Sequence, residues 1–183
     1  MFHVNLSHMQ LLRLDPSHAS DYRALMLNAY AQHPEAFTSS VNERATLPLS
    51  WWQARLAPGD DPTELVFGCV LGQELAGVAG LAFDRRDKVR HKASLFGMFV
   101  RTQHRQMGIG SRLVEHALAY ARTRSGVLLV QLTVTQGNHA AQSLYERHGF
   151  VSYGREPMAV ALESGYVNKL HMWCKLETSP AEA

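Results

Sequence analysis

The fold is decided by a glycine-containing turn, Arg105-Gln106-Met107-Gly108-Ile109-Gly110-Ser111. An apolar run at 93–100 comes before it and predicts a central strand covered on both faces. An amphipathic helix follows, predicted from one apolar stripe: Ile109, Leu113, Val114, Ala117, Leu118 and Ala121. At a strand-to-helix turn, backbone N–H groups and the positive end of the helix converge on one point. The turn therefore predicts a site for an anion.

The spacing of the glycines indicates which class of anionic ligand the turn binds. Gly108 and Gly110 lack the Cβ atoms that would keep a bulky diphosphate from the backbone, and Arg105 can add a charge-assisted contact. A dinucleotide-binding fingerprint requires a third glycine where Leu113 stands, and an acidic residue after the next strand, where Thr135 stands. A Walker loop requires Gly-Lys-Ser or Gly-Lys-Thr, which the turn lacks. A different phosphorylated cofactor is therefore indicated.

The rest of the chain predicts strands and helices on both sides of this turn. Before it, we expect a strand at 11–14, a helix from Asp15 to about Gln32, one or two irregular helices within 33–58, and a hairpin of strands at 65–71 and 75–83. After it, we expect a strand at 127–135, a helix at 138–148 ended by Gly149, and strands near 150–154 and 166–176. Gly97, inside the central strand, predicts a bulge or a close backbone approach. The pattern is that of a mixed α/β fold.

Composition bounds the class of protein. The 183 residues are 46% hydrophobic and 19% charged, as in a soluble globular protein, and we expect a single domain over 1–178 with a frayed tail at 179–183. A net charge of +2 without a basic stripe argues against nucleic acid, and the start of the chain and its short apolar runs argue against secretion and membrane insertion. Cys69 and Cys174 lie in apolar runs and are expected to be buried, reduced thiols, which suits the cytoplasm. The ten histidines are scattered, so no metal is expected.

Two motifs resemble those of the GNAT superfamily of N-acetyltransferases. The first is the family's coenzyme A pyrophosphate loop (Arg or Gln, two residues, Gly, one residue, Gly or Ala), which is filled by Arg105, Gly108 and Gly110. The second is a later helix motif, filled by Asn138, Ala141, Leu144, Tyr145, Gly149 and Phe150. The stretch 97–100 also resembles the family's fourth strand, and the tail resembles its last two strands. The resemblance implies a mostly antiparallel twisted sheet of six to seven strands flanked by about four helices.

The resemblance also implies an activity and its residues. An acetyl group would pass from acetyl-CoA to a primary amine of a small molecule or a protein, by direct attack in a ternary complex. Tyr145 would be the general acid, because a phenol of ordinary pKa about 10 can protonate a departing thiolate of pKa about 8.5. A backbone N–H near Met98 or Phe99 would polarise the carbonyl. The implied cofactor contacts are Met98, Phe99, Val100, Arg105, Gln106, Met107, Gly108, Ile109, Gly110, Ser111, Asn138 and Tyr145.

Several alternatives stay open at this point. The base that accepts the amine proton is Glu35, Glu43, His91 or a water molecule. Two other functions also stay open. The chain is either a catalytically idle sensor that binds acyl-CoA, or an acyltransferase that transfers a longer acyl group. The acceptor pocket is expected from 33–58 and from the hairpin at 155–169, with Trp51 and Trp52 interpreted as core anchors. The sequence does not identify the acceptor amine. It also does not show whether two copies of the chain pair through the last strands as a homodimer.

Overall fold

The computed structural model describes residues 9–59 and 61–177. The predicted frayed tail at 179–183 and the start of the chain at 1–8 lie outside the described residues. Within those residues there are seven strands: β1 (Met9–Arg13), β2 (Glu64–Leu71), β3 (Glu74–Phe83), β4 (Lys92–Val100), β5 (Leu129–Thr135), β6 (Val151–Leu162) and β7 (Gly165–Lys175). The α-helices are α1 (Ala19–Gln32), α2 (Val41–Ala45), α3 (Leu49–Arg55), α4 (Ile109–Thr123) and α5 (His139–Arg147).

All seven strands form one sheet, in the order β1-β2-β3-β4-β5-β7-β6. Each neighbouring pair is antiparallel except β4 and β5, which are parallel. The parallel pair is joined by the crossover helix α4, because parallel strands cannot be joined by a tight turn. The predicted mixed α/β, mostly antiparallel sheet is confirmed.

The parallel pair opens the sheet at its centre. β4 and β5 pair only at the start of each strand, where Lys92 faces Leu129 and Ser94 faces Gln131. The Gln131 side chain donates to the Ser94 hydroxyl at 3.2 Å where the pairing ends. Beyond this point the two strands separate, so the β5-facing edge of β4 has no strand partner. The gap leaves room for a ligand, and the backbone groups along it are free to bind one.

A bulge in β4 lies beside this opening. On β3, Val78 pairs with Phe99 and Gly80 pairs with Phe96, so two β4 residues, Gly97 and Met98, lie opposite one β3 residue. Gly97 has a φ of 59°, a value that residues with a Cβ rarely adopt. The bulge predicted at Gly97 is therefore confirmed, and it redirects the strand next to the gap.

Hydrophobic side chains pack on both faces of the sheet. Along β2, Phe67 and Cys69 belong to the core that α4 covers, whereas Val66 points into the core formed with α1 and α3. This alternation is the period of two that a strand covered on both faces requires. Cys69 and Cys174 are free and buried, as expected from their apolar surroundings.

Two strand valines test the strength of this core. Val130 on β5 is 0% exposed, whereas the edge strand β6 leaves Val151 54% exposed. Val130→Ala is expected to lower the free energy of unfolding by about 2 kcal/mol, because two buried methyl groups are lost and a cavity is left. Val151→Ala makes the same change to strand propensity, but it should change the free energy of unfolding by no more than about 0.5 kcal/mol. Denaturant unfolding of both variants measures the difference, and equal losses would contradict this assignment of the core.

Three elements differ from the sequence prediction. The strand expected near 150–154 is longer in the structure, where β6 runs from Val151 to Leu162. The sequence did not indicate this length, because register shifts after Ser152 and Glu156 interrupt the alternating pattern by which a long strand is recognised. The first helix begins as a 3-10 turn at Pro16–His18 before α1, and β1 starts two residues earlier than expected, at Met9. The one or two irregular helices expected within 33–58 are present as α2 and α3, with a 3-10 turn at Pro34–Ala36, and the five α-helices of the described residues compare with the about four that the resemblance implied.

Candidate active site

The turn after β4 presents free backbone N–H groups at the start of α4. Gln106 and Gly108 have φ values of 64° and 77°, so the chain curls in the left-handed region before the helix begins. The first intrahelical bond runs from the Arg112 N–H to the Gly108 carbonyl at 3.1 Å. The N–H groups of the first turn, from Ile109 to Ser111, therefore lack a partner within the helix. Together with the helix dipole, they form a site for an anion.

The two glycines of the turn serve different needs. A Cβ on Gly108 would have no heavy atom within 4 Å, so glycine is required there by its positive φ and it leaves open space in front of the helix. A Cβ on Gly110 would lie 3.2 Å from both the Leu144 side chain and the Met98 side chain, a tight contact. Gly110 thus permits α4 to pack closely against β4 and α5.

The polar residues predicted near the cofactor already have partners. Arg105 donates from Nε to the Val100 carbonyl at 3.2 Å, and its Nη2 lies 2.8 Å from His33 Nε2. Ser111 Oγ lies 2.8 Å from His148 Nε2. Asn138 caps α5, because its side chain accepts the Ala141 N–H at 3.1 Å. These contacts hold Arg105 across the end of β4.

The apolar residues predicted near the cofactor are divided between core and surface. Ile109 is buried in the core, so its backbone N–H is the part of it that faces the anion site. Phe99 is also buried, on the α1 face of the sheet. Met98, Val100 and Met107 are half-buried against the α4 core, and Gln106 is exposed. Because their side chains are buried, Ile109 and Phe99 can contact a ligand only through their backbone groups.

A cavity of about 330 Å³ occupies the gap between β4 and β5. Its floor comes from both strands, with Phe96, Gly97 and Met98 on one side and Thr133, Val134 and Thr135 on the other. Segment 33–58 closes it, and the Thr135 hydroxyl donates to the Glu35 carbonyl at 2.7 Å to hold this segment on β5. Trp51 and Trp52 line the wall, and Trp52 is also the core anchor that was expected, at 1% exposed.

Tyr145 places a buried phenol in this cavity. Its hydroxyl donates to Met98 Sδ at 3.5 Å, and its ring packs edge-on against Phe150 at 5.8 Å between centroids. Burial raises the pKa of Tyr145 to about 12. The hydroxyl therefore keeps its proton over the physiological range and acts as a hydrogen-bond donor. Met98 lies between this hydroxyl and the helix N-terminus, because its methyl group is 3.2 Å from the position that a Cβ on Gly110 would take.

Basic groups dominate the charged part of the cavity wall. Arg44, Arg55 and Lys169 line it, and none of the aspartate or glutamate side chains in the described part of the chain does. Burial lowers the pKa of the Lys169 ammonium, an effect that nearby Glu156 opposes. Burial also raises the pKa of Tyr22, another phenol of the wall, to about 12.

The three residues considered as the base lie away from the cavity wall. His91 precedes β4, six positions before Gly97, which corresponds to about 20 Å of strand. Glu43 accepts the Ser40 N–H at 2.8 Å in a capping box, and this hydrogen bond lowers the pKa of its carboxyl group. The Glu35 carboxylate lies 3.4 Å from His33 Nδ1.

Arg44, Arg55 and Lys169 were not singled out by the sequence. Arg44 lies within the short helix α2, Arg55 ends the short helix α3, and Lys169 lies in the middle of β7. Lys169, between Asn168 and Leu170 of β7, is only 7% exposed in the fold. A buried lysine is rare unless it is paired or functional.

Residues 9–59 and 61–177 contain no helix long and apolar enough to cross a membrane. The same residues contain no group of three or more His, Cys, Asp or Glu side chains placed to hold a metal ion.

The fold and the site define a mixed α/β protein in which a helix N-terminus with unpaired first-turn N–H groups follows a strand that lines a cavity with a buried phenol. The sequence matches the model of the Acetyltransferase (GNAT) family over residues 26–150. This chain belongs to that family, and the resemblance seen in the two sequence motifs is confirmed. No curated protein sequence matches the chain.

Solved structures share the fold over nearly the whole chain. A GNAT-family acetyltransferase from Streptococcus pneumoniae has a TM-score of 0.82 and 24% identity, covering 92% of this chain and 99% of that one. A GCN5-related N-acetyltransferase from Kribbella flavida has a TM-score of 0.78 and 20% identity, covering 94% and 100%. The yncA protein of Salmonella typhimurium, solved with its cofactor acetyl-CoA, has a TM-score of 0.76 and 18% identity, covering 97% and 99%. At these identities the likeness shows the fold.

Proposed function

We propose that this protein is an acetyl-CoA-dependent N-acetyltransferase that acetylates a primary amine in a ternary complex. The observation that carries the proposal is the connection between the two halves of the site. The Met98 side chain lies between them, because its methyl group is 3.2 Å from the position that a Cβ on Gly110 would take, at the helix N-terminus, and its sulfur accepts the Tyr145 hydroxyl at 3.5 Å in the cavity. A cofactor with a diphosphate at one end and a thioester at the other fits such an arrangement, and the related yncA protein is solved with acetyl-CoA.

The diphosphate binds the first-turn N–H groups of α4, from Ile109 to Ser111. The pantetheine arm then runs along the unpaired edge of β4, where backbone groups of Phe99 and Val100 can bond to its amides. This path delivers the thioester to the bulge at Gly97 and Met98, beside Tyr145. A backbone N–H at the bulge polarises the thioester carbonyl.

The transfer itself needs one bond to form and one to break. The neutral amine nitrogen attacks the carbonyl carbon, and the resulting intermediate expels the coenzyme A thiolate as the C–S bond breaks. The Tyr145 hydroxyl stabilises the departing thiolate with a hydrogen bond and supplies its proton. The amine proton leaves to water, because the described cavity wall offers no carboxylate or imidazole to accept it, and water returns a proton to the Tyr145 phenolate.

The activity is tested by release of free coenzyme A thiol from acetyl-CoA in the presence of a panel of primary amines. We expect thiol release that requires an amine and yields one N-acetyl product per thiol, as mass spectrometry can count. Binding of acetyl-CoA without any transfer would instead identify an acyl-CoA sensor. Faster transfer of a longer acyl group would show that acetyl is not the natural donor group.

A further inference from the structure

The charges of the cavity indicate what the acceptor amine carries, an inference that rests on the proposed function. All three charged side chains in the wall are basic, and the described aspartates and glutamates lie outside it. A pocket for a polyamine would offer carboxylates to its positive charges. This wall instead repels extra positive charge and attracts an anionic group.

One of the three basic groups forms an ion pair with a carboxylate. Arg55 pairs with Glu64, whereas Lys169 and Arg44 are each only near a carboxylate, Glu156 and Glu43 respectively, whose charge couples to theirs. Arg44 has no carboxylate within ion-pair distance among residues 9–59 and 61–177. Arg44 differs from Lys169 in its geometry, because its guanidinium carries a buried Nε without a hydrogen-bond partner among the described residues.

The Arg44 guanidinium is nevertheless held in place. Its Nη2 donates to the Ser39 hydroxyl at 2.8 Å, and its plane lies 4.8 Å from the centroid of the Trp51 ring. The Nε atom is buried and has no hydrogen-bond partner among the described residues. A charged donor that is fixed, buried and unsatisfied is suited to bind an acceptor-only group such as a carboxylate.

Trp52 supplies a second, independent observation. It lines the same cavity, is 1% exposed, and its indole Nε1 is buried without a partner in the described structure. Edge-on contacts with Tyr22 at 5.6 Å and with Trp51 at 5.1 Å fix its ring. An indole N–H can only donate a hydrogen bond, so it too requires an acceptor.

We propose that the acceptor is a small amino acid with an apolar side chain, whose carboxylate binds Arg44 and whose amine is acetylated. The aromatic wall, which includes Phe37 and Phe96, suits the apolar side chain. At about 330 Å³ the cavity is at the small end of ligand pockets, which run from about 300 to 1,000 Å³. It must also admit the acetyl group, which favours a free amino acid over a peptide.

The test compares amino acids with their carboxamides. Phenylalanine and methionine are assayed against phenylalaninamide and methioninamide, with spermidine as a polycationic amine, and kcat/KM is measured from thiol release. Each acid should exceed its amide by about tenfold or more, since a hydrogen bond to a charged group is worth roughly that factor or more. The amide has the less basic amine, so unassisted chemistry would favour the amide instead.

Variants then assign the effect to Arg44. Arg44→Gln should lower kcat/KM for the acids about tenfold or more, through KM, and leave the amides within about twofold. Arg44→Lys, which keeps the charge, should recover part of the loss. Arg90→Gln is the matched control, because Arg90 is exposed next to the remote end of β4. Stabilisation of Arg44→Gln by acetyl-CoA shows that it folds and binds the cofactor.

The outcomes separate this inference from the proposed function. Equal rates for acids and amides, a preference for spermidine, acetylation of no amino acid, or an equal loss for both classes in Arg44→Gln would overturn the carboxylate site. In each of these cases, wild-type stabilisation by acetyl-CoA would leave the acetyltransferase proposal standing. Absence of that stabilisation would refute the proposed function itself.

Discussion

Replacing Gly108 with valine is expected to abolish the stabilisation that acetyl-CoA gives the folded protein. Gly108 has a φ of 77°, and its Cβ position faces open space in front of the α4 N-terminus. The new side chain would occupy the space that we propose for the diphosphate. A ligand present at about 100 times its dissociation constant adds roughly 2.7 kcal/mol to the free energy of unfolding, and this increment should be lost.

The control is the same substitution at the other end of the helix. Gly126 has a φ of 80° and nothing within 4 Å of its Cβ position, so Gly126→Val imposes the same kind of backbone strain. It lies beyond the C-terminal end of α4, a helix of 15 residues and about 22 Å. Both variants should lose about 1–3 kcal/mol of stability without ligand. Only Gly126→Val should keep the ligand increment, as thermal unfolding with and without acetyl-CoA will measure.

Other outcomes of this pair are equally informative. Loss of the increment in both variants would mean that strain, rather than a filled site, weakens binding. Retention of the increment in Gly108→Val would place the diphosphate elsewhere and would leave the glycine turn as a turn only.

The sequence predicted the features that depend on local chemistry. Gly97 marked a bulge and Gly108 the turn before α4, and both positions have a positive φ, which glycine adopts at little cost. Helix α4 was visible from its apolar stripe, since that period is a property of the helix itself. The cofactor end of the site could therefore be assigned to the turn before α4, and Tyr145 to the later helix α5.

The acceptor end could not be predicted, because distant segments assemble it. Thr135 holds Glu35 across 100 positions of the chain, and Lys169 enters the cavity from β7. The separation of β4 from β5 after Ser94 is likewise a property of strand pairing, which one sequence does not reveal. The unsatisfied Arg44 Nε and Trp52 Nε1 become evident only once burial and partners are known.

Tyr145→Phe is expected to lower kcat by about 10²–10⁴ while leaving the stabilisation by acetyl-CoA unchanged. The substitution removes a hydroxyl whose described contact is Met98 Sδ, and it keeps the ring that packs against Phe150. Little stability should therefore be lost. Steady-state rates of thiol release measure kcat, and thermal unfolding with acetyl-CoA confirms that the cofactor still binds.

Two further tyrosines separate chemistry from packing. Tyr120 does not line the cavity, and its ring packs against Phe67 at 5.5 Å between centroids, so Tyr120→Phe should leave kcat unchanged. Tyr22→Phe removes the other cavity phenol whose pKa burial raises to about 12, and it should affect the acceptor KM more than kcat. A loss of kcat in Tyr22→Phe comparable to that in Tyr145→Phe would move the acid to Tyr22.

The pH dependence of the wild type adds a test that needs no variant. A group whose pKa in the folded protein is raised from 10 to about 12 stays protonated across the range in which a free phenol would ionise. If Tyr145 is the donor, kcat should not fall as pH rises to about 10, the ordinary pKa of a phenol. A decline centred near pH 10 in the wild type that disappears in Tyr145→Phe would show that the bound cofactor restores an ordinary pKa. A decline that persists in Tyr145→Phe belongs to another group, and kcat unaffected by the substitution at every pH would mean that the thiolate departs without help from Tyr145.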